Sequence, residues 1–139
     1  MDDVDAIKQL KARYFRTMDT KDWAGMRQVF ADDVVIDVTE EAGGEPVHGA
    51  DAFLEFLEPT LTPVVTVHQG HMPEIELTSE TTAKGIWSLN DLLQFPDGSS
   101  MEGWGHYHET YEKIEGAWKI TSLRLTRLRI DFTPGPDAG

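Results

Sequence analysis

The order of hydrophobic patterns along the chain restricts the fold more than any other feature of the sequence. Apolar residues recur at helical spacing in the first part of the chain, whereas the rest consists of long β-type runs separated by short turns. Helices that precede a long antiparallel sheet must cover its apolar face. At 139 residues the chain is long enough for one such domain and too short for two. We therefore predict an α+β fold with three N-terminal helices packed on a strongly curved, mostly antiparallel sheet.

Three segments have the pattern of amphipathic helices. The first is predicted over residues 3–18, and its apolar face consists of Ile7, Leu10, Tyr14 and Met18. A short second helix is predicted to begin after Asp22, whose carboxylate can cap it. The third helix begins near Ala52 and is expected to end near Glu58, because Pro59 disfavours helical geometry in the residue before it.

The remaining hydrophobic runs have the composition of strands. We predict strands at residues 34–38, 63–69, 73–78, 81–93, 101–114 and 117–130. Short turns separate the later runs, which is typical of hairpins: Thr78-Ser79-Glu80, Pro96-Asp97-Gly98 and Glu115-Gly116. Residues 1–133 are predicted to form a single domain and residues 134–139, which end the chain with two prolines and two glycines, a flexible tail.

Charge and composition exclude several classes of function. The net charge of −13 argues against binding of nucleic acid or an anionic membrane, since both require concentrated Lys and Arg. The absence of cysteine excludes disulfides and a thiolate nucleophile. The first residues are acidic where a secretory signal would be basic, and no segment approaches the roughly 20 apolar residues of a membrane span. We therefore expect a cytoplasmic protein without a membrane partner.

His68 is the first candidate for chemistry, because it ends a β-branched run in which a strand has little structural need of a titratable ring. A buried carboxylate that accepts a proton from one imidazole nitrogen fixes the tautomer and leaves the other nitrogen free as a base. Asp19, directly after the first helix, could supply that carboxylate. The alternatives are a satisfied core histidine and a turn residue at the end of a helix.

Two further polar groups could face the same space. Asp91 shares one face of its predicted strand with Trp87 and Leu89, so it lies either near a rim or inside a polar pocket. The phenol of Tyr14 could donate a hydrogen bond to a developing oxyanion, although a tyrosine at helical spacing is also typical of a core.

Three arginines crowd the last strand. Strict alternation places Arg127 and Arg129 on the face opposite to Arg124. One guanidinium at the mouth of a pocket could bind a carbonyl or a carboxylate. Alternatively, these residues form a solvated face or salt bridges across a subunit interface.

His106, His108 and Glu112 reproduce part of a cupin metal site, because two histidines at i and i+2 face the same side of a strand. The flanking residues and the second histidine motif of a cupin are missing, and three N-terminal helices do not suit a cupin barrel. We therefore predict no metal and no cofactor.

Together, several motifs resemble the SnoaL-like branch of the nuclear transport factor 2-like superfamily over roughly residues 4–133. They are Arg13-Tyr14, Asp19, Asp22-Trp23, Val67-His68-Gln69-Gly70-His71, Gly85-Ile86-Trp87, Gly105-His106-Tyr107, Gly116-Ala117-Trp118-Lys119 and Leu125-Thr126-Arg127-Leu128. The resemblance implies a cystatin-like cone, in which a pocket lies between the helices and the curved sheet.

The resemblance also implies roles for single residues. The sequence is similar to scytalone dehydratase, bile acid 7α-dehydratase and lindane dehydrochlorinase, in which proton transfer uses an Asp and a His at the positions of Asp19 and His68. The bile acid enzyme further implies roles for Tyr14 and Asp91, and for one arginine of the last strand. Leu93 stands where scytalone dehydratase has a second histidine, which argues against a scytalone substrate.

These observations predict a cofactor-independent lyase or isomerase of the dehydratase type, with a substrate that is apolar, cyclic or steroid-like and carries a carbonyl. A ligand-binding module without catalysis is the alternative. The residues expected to bind the substrate are Arg127, Arg129, Trp87, Met18 and Leu89. Trp104 and Tyr107 are expected on the exposed side of the sheet, which predicts a homodimer or homotrimer.

Overall fold

Four helices and six strands make up residues 1–136, the part of the chain that the computed structural model describes. The helices are α1 (Asp3–Asp19), α2 (Trp23–Arg27), α3 (Thr39–Ala42) and α4 (Ala50–Leu61). The strands are β1 (Phe30–Asp37), β2 (Val47–His48), β3 (Val65–Leu77), β4 (Thr82–Gln94), β5 (Ser100–Ile114) and β6 (Ala117–Thr133).

The strands form one sheet in the order β2-β1-β6-β5-β4-β3, and its pairs are antiparallel apart from β1 with β6. Helix α1 packs against β3 and β6, and α4 packs against β1. The predicted α+β architecture is confirmed. Of these helices, none has the length and apolar character that a membrane crossing requires.

The predicted helices correspond to α1, α2 and α4, and the caps follow the sequence: Asp22 Oδ1 accepts a hydrogen bond from the Gly25 N–H at the start of α2. The predicted end of α4 at Glu58 is wrong, since the helix continues through Pro59 to Leu61. Pro59 has no N–H to donate to the Glu55 carbonyl, so it costs the helix one hydrogen bond. The helix continues past it, and the Thr62 N–H donates to the Glu58 carbonyl. The short elements α3 and β2 were not predicted.

Strand β3 corrects the prediction of separate strands at 63–69 and 73–78. The pairing of β3 with β4 continues from Val65 to Leu77 and is interrupted only by a register shift between His71 and Glu74. Met72, within that shift, has φ of 43°. The structure therefore contains one long bulged strand, because β4 pairs with both of its halves.

The inner face of the sheet and the helices enclose the core. Its largest members include Ile7, Leu10, Tyr14, Met18, Phe30, Phe53, Leu57, Trp87, Tyr107, Tyr111 and Leu123. The burial pattern of β4 alternates, so that Trp87, Leu89 and Asp91 face inward as predicted. On β5, Tyr107 is buried in the core whereas Trp104 faces outward, since residues an odd number apart lie on opposite faces. Tyr107 therefore does not belong to the exposed side of the sheet.

The end of the described chain lies beside the turn between β4 and β5. Pro136 is close to Gly98, where a Cβ atom would lie 2.8 Å from the proline Cδ. Residues 137–139 of the predicted tail lie outside the described residues.

Candidate active site

A cavity of about 230 Å³ lies between α1, α3, α4 and the inner face of the sheet. Its walls are mostly apolar, with a few convergent polar groups, which is typical of small-molecule sites. The polar and aromatic side chains that line it are Tyr14, Glu41, His68, Asp91, Tyr107 and Arg127. The apolar walls include Met18, Val38, Phe53, Phe56, Leu57, Leu93, Leu123 and Leu125.

The predicted contact between Asp19 and His68 is present. The Asp19 carboxylate at the end of α1 lies 2.7 Å from His68 Nδ1 through Oδ1, and its Oδ2 accepts a 2.8 Å hydrogen bond from the His68 backbone N–H. Thr66, two residues earlier on the same face of β3, donates to Oδ1 at 2.9 Å and accepts from Lys21 Nζ at 2.9 Å. Asp19 is therefore fixed by β3 at both of its oxygens.

This arrangement determines which imidazole nitrogen is free. Because the Asp19 carboxylate is an acceptor, Nδ1 of His68 carries the proton and donates it, and the lone pair of Nε2 is left to face the cavity. The nearest acidic oxygen to Nε2 is Asp91 Oδ2 at 4.0 Å, which is beyond hydrogen-bond distance. A substrate atom can therefore approach Nε2 without displacing an existing hydrogen bond.

Asp91 lies inside a polar pocket, beside His68 in the pairing of β3 with β4. Its carboxylate forms a bidentate pair with Arg127, with Nη1 to Oδ1 at 2.7 Å and Nη2 to Oδ2 at 2.9 Å. Both side chains are almost fully buried, with 4% and 7% exposure. Gly103 on β5 leaves the space that this pair fills, since a Cβ atom there would lie 2.7 Å from Asp91 Oδ1.

The aromatic wall of the cavity contains Tyr14 of α1 and Tyr107 of β5, whose ring centroids lie 5.7 Å apart in an edge-on arrangement. Burial raises the pKa of the Tyr14 phenol above its ordinary value, and nearby carboxylates raise it further. Burial likewise raises the pKa of Tyr107. Both phenols therefore stay protonated, and the Tyr14 phenol can donate a hydrogen bond to a ligand.

Arg127 and Arg129 lie on opposite faces of the sheet, which corrects the predicted alternation. A bulge pairs Gly105 with Arg127 and Trp104 with Arg129, so that Leu128 is the extra residue. Arg127 reaches the cavity. Arg129 is 70% exposed on the outer face, where it donates to Asp131 and lies over the ring of Trp104. Arg129 therefore does not line the cavity, contrary to its predicted position at the site.

Of the other residues predicted to bind the substrate, one lines the cavity and two do not. Met18 lines the cavity. Trp87 and Leu89 are buried in the core and do not line it, and the Trp87 indole N–H donates to the Tyr111 hydroxyl at 3.0 Å. These two residues therefore belong to the core and do not line the cavity, contrary to their predicted position at the binding site.

Sequence reasoning missed Tyr107 and Glu41 as residues of the site. Tyr107 alternates with Glu109 and Tyr111 along one face of β5, which is a signal that the alternation rule could have detected. No local pattern marks Glu41, because it reaches the cavity from α3, a four-residue helix.

The cupin-like triplet lies on the other side of the sheet. The rings of His106 and His108 are 6.3 Å apart on the outer face, where His108 Nε2 is 3.1 Å from Thr126 Oγ1. Within residues 1–136, no group of three or more His, Asp or Glu side chains has the arrangement of a metal site. A wider hollow of about 740 Å³ also opens on this outer side and is lined by His108, Glu74 and Arg124 among others. It lacks the Asp19–His68 pair, so we assign the candidate active site to the smaller cavity.

A curled sheet that forms a mostly apolar pocket beneath N-terminal helices defines the class of cone-shaped α+β proteins of the nuclear transport factor 2 type. The family model of the SnoaL-like domain matches residues 1–124, and the chain belongs to this family.

Solved structures with the same fold include a dehydratase-like protein and a dehydrochlorinase. A scytalone dehydratase-like protein from Novosphingobium aromaticivorans is 20% identical with a TM-score of 0.83, and the match covers 98% of this chain and 93% of that one. The hexachlorocyclohexane dehydrochlorinase LinA-type3 from Novosphingobium barchaimii is 20% identical with a TM-score of 0.81, and the match covers 94% and 89%. At these identities the structural matches establish the fold.

Among curated proteins, the probable cyclase FGR4 of Gibberella zeae is 24% identical over 134 residues. The match covers 88% of this chain and 89% of the relative. The chain therefore has the fold of dehydratase-type enzymes over nearly its whole length.

Proposed function

We propose that the protein is a cofactor-independent lyase or isomerase that removes a proton next to the carbonyl of a small cyclic substrate. The observation that carries this proposal is the Asp19–His68 contact, which leaves Nε2 of a buried imidazole free inside an apolar cavity. The names of the structural relatives, a dehydratase and a dehydrochlorinase, describe the loss of water or hydrogen chloride, which begins or ends with such a proton transfer.

The proposed reaction is a dehydration. His68 Nε2 takes the proton from the carbon beside the carbonyl, and the resulting enolate oxygen accepts a hydrogen bond from Tyr14. The electron pair then returns to form the carbon–carbon double bond, the bond to the β-hydroxyl breaks, and the imidazolium gives its proton to the departing oxygen. A β-hydroxyketone thereby becomes an enone and water. The Asp91–Arg127 pair lies close to Nε2 and can polarise the leaving group.

The size of the cavity limits the substrate. An apolar cavity of about 150 Å³ accommodates benzene, so the cavity of about 230 Å³ suits one ring with substituents, or two small rings. A fused four-ring skeleton is much larger than this space. We therefore propose that one or two rings of a cyclic substrate occupy the cavity, which is open to solvent on one side.

The Asp19→Asn variant tests the role of the carboxylate. We expect its turnover of 3-hydroxycyclohexanone, followed as enone absorbance, to be about 10- to 100-fold lower than that of the wild type. The reason is that the variant loses the charged acceptor of the His68 Nδ1–H bond, and a hydrogen bond to a charged group contributes about 1.5–3 kcal/mol to stabilisation of the imidazolium. Asp33→Asn, which makes the same change at an exposed position, should retain full activity. A protein in which Asp19→Asn leaves turnover of this and related β-hydroxyketones intact would not use the proposed mechanism.

We further propose that the protein is a homodimer or homotrimer that associates through the end of β6. Strand β1 pairs with β6 only as far as Arg124, so the edge beyond it has no partner strand among the described residues. This segment exposes Leu128, Ile130 and Phe132, with 75%, 42% and 60% exposure. A long, exposed, apolar edge favours pairing with a second chain.

Sedimentation velocity tests this association. The wild type is expected to sediment as a multiple of its 15.6 kDa chain, whereas Leu128→Lys is expected to shift the population toward the monomer, because a charged lysine on an edge strand opposes pairing. A monomeric wild type at micromolar concentrations, or a variant that associates unchanged, would contradict the proposed interface.

A further inference from the structure

We propose that Glu41 is a specificity-determining residue that reserves the cavity for neutral carbonyl compounds and excludes carboxylates. This inference rests on the proposed function, because it names the class of substrate that the same site takes. It depends on how the hydrogen-bond donors of Arg127 are distributed, on the charges around the cavity and on the position of α3.

Arg127 is the one arginine that lines the cavity among the described residues, and its two terminal nitrogens are already bound to carboxylates. Nη1 and Nη2 form the bidentate pair with Asp91, and Nη2 also donates to Glu41 Oε1 at 2.8 Å. Glu41 is partly buried, with 27% exposure of its side chain. A substrate carboxylate would need the same fork of parallel N–H groups that Asp91 occupies.

The position of α3 keeps Glu41 at this point. The neighbouring Glu40 accepts a 2.9 Å hydrogen bond from the Arg127 backbone N–H, so α3 is fixed to β6 by two consecutive glutamates. Asp37 Oδ1 accepts from the N–H and the hydroxyl of Thr39 at the start of α3. These contacts hold the Glu41 carboxylate against Arg127 at the wall of the cavity.

The charges around the cavity also disfavour an anionic ligand. Three carboxylates, those of Asp19, Asp91 and Glu41, face two cations, those of Lys21 and Arg127, so one negative charge is in excess when His68 is neutral. A ligand carboxylate would add a second negative charge in a largely desolvated space, where repulsion is strong. A neutral carbonyl adds no charge and needs a single donor.

Such a donor is available without breaking the ion pairs. The Tyr14 phenol lines the cavity and stays protonated. The Nε atom of Arg127 is fully buried, so it is not accessible to a ligand. The site therefore favours one neutral acceptor and offers no free guanidinium fork to an anion.

The test compares two probes of nearly equal shape, acetophenone and benzoate, by measuring their dissociation constants at constant ionic strength. The wild type is expected to bind acetophenone more tightly. Glu41→Gln is expected to tighten benzoate binding by about tenfold or more relative to acetophenone, because it removes one negative charge and weakens the hold on Arg127. Glu45→Gln makes the same charge change at an exposed residue and should leave the preference unchanged.

The outcomes separate this inference from the proposed function. An unchanged preference in Glu41→Gln, an equal change in Glu45→Gln, or no binding of acetophenone would overturn the role of Glu41. Glu41→Ala repeats the measurement with the side chain removed, and thermal unfolding verifies that each variant is folded. Turnover of 3-hydroxycyclohexanone is measured on the same proteins, so that a wild type that shows the ligand preference but no turnover refutes the proposed reaction alone.

Discussion

Replacement of Glu109 by alanine, or of Lys11 by methionine, is expected to lower the free energy of unfolding by about 3–5 kcal/mol, because either change leaves an unpaired charge in the core. The Lys11 ammonium and the Glu109 carboxylate lie 2.7 Å apart, and both side chains are fully buried. Tyr111 also donates to Glu109 Oε1 at 2.6 Å. The Lys11 Nζ atom lies 3.6 Å from the ring centroids of both Tyr14 and Tyr107.

The double variant Lys11→Met, Glu109→Leu is expected to recover most of this loss. Burial lowers the pKa of Lys11 to about 8 although the Glu109 carboxylate opposes the shift, so the loss of hydration is a large cost to the charged lysine. Replacing both charges by apolar groups removes that cost, although the Tyr111 hydroxyl then loses its acceptor.

Urea unfolding of the two single variants and the double variant measures these differences. The exposed pair of Lys84 and Glu76 is the control, and Lys84→Met should change stability far less, since water screens exposed ion pairs. Single variants at Lys11 and Glu109 that unfold like the wild type would show that the buried pair contributes nothing to stability.

The buried pair also supports the site. Because Lys11 lies between the rings of Tyr14 and Tyr107, its loss removes the contact that holds the aromatic wall in place. The Glu109–Tyr111–Trp87 chain of hydrogen bonds continues the same network behind the cavity. The stability of the fold and the position of the Tyr14 phenol, the proposed hydrogen-bond donor to the enolate, therefore depend on the same Lys11–Glu109 pair.

Local patterns were sufficient to predict most of the fold. The helical stripe of α1, the cap at Asp22 and the hairpin turns each depend on residues close together in sequence. The inward direction of Asp91 followed from alternation along a regular strand. The contact of Asp19 with His68, 49 positions apart, was one of several possibilities on the residues alone, and the resemblance to dehydratases pointed to it.

Bulges and long-range contacts account for what the sequence could not predict. The bulge at Leu128 moves Arg129 to the outer face. The register shift after His71 lies within one long strand, where the sequence predicted two. A prediction based on strict alternation of inward and outward residues cannot anticipate either irregularity. From the sequence alone, Lys11 has the pattern of a residue on the polar side of a helix. Its burial becomes understandable only through its partner Glu109, 98 positions away. The position of Glu41 depends in the same way on α3 reaching β6.

Replacement of His68 by alanine is expected to lower kcat for 3-hydroxycyclohexanone by about 10²- to 10⁴-fold, the usual contribution of a general base. The imidazole contacts Asp19 on one side and the cavity on the other, and only 8% of its side chain is exposed. Its removal deletes the proton acceptor but leaves the Tyr14 phenol as a hydrogen-bond donor. Binding of acetophenone should therefore change far less than kcat.

His71→Ala is the matched control, because His71 lies on the same strand, is exposed, and does not line the cavity. Its kcat should equal that of the wild type. Added imidazole should restore part of the activity of His68→Ala, since the deleted ring leaves a space next to Asp19 in which a free imidazole can accept the proton. A merely structural histidine would not respond in this way. Equal losses in both histidine variants, or no loss in His68→Ala, would mean that proton abstraction does not occur at Nε2.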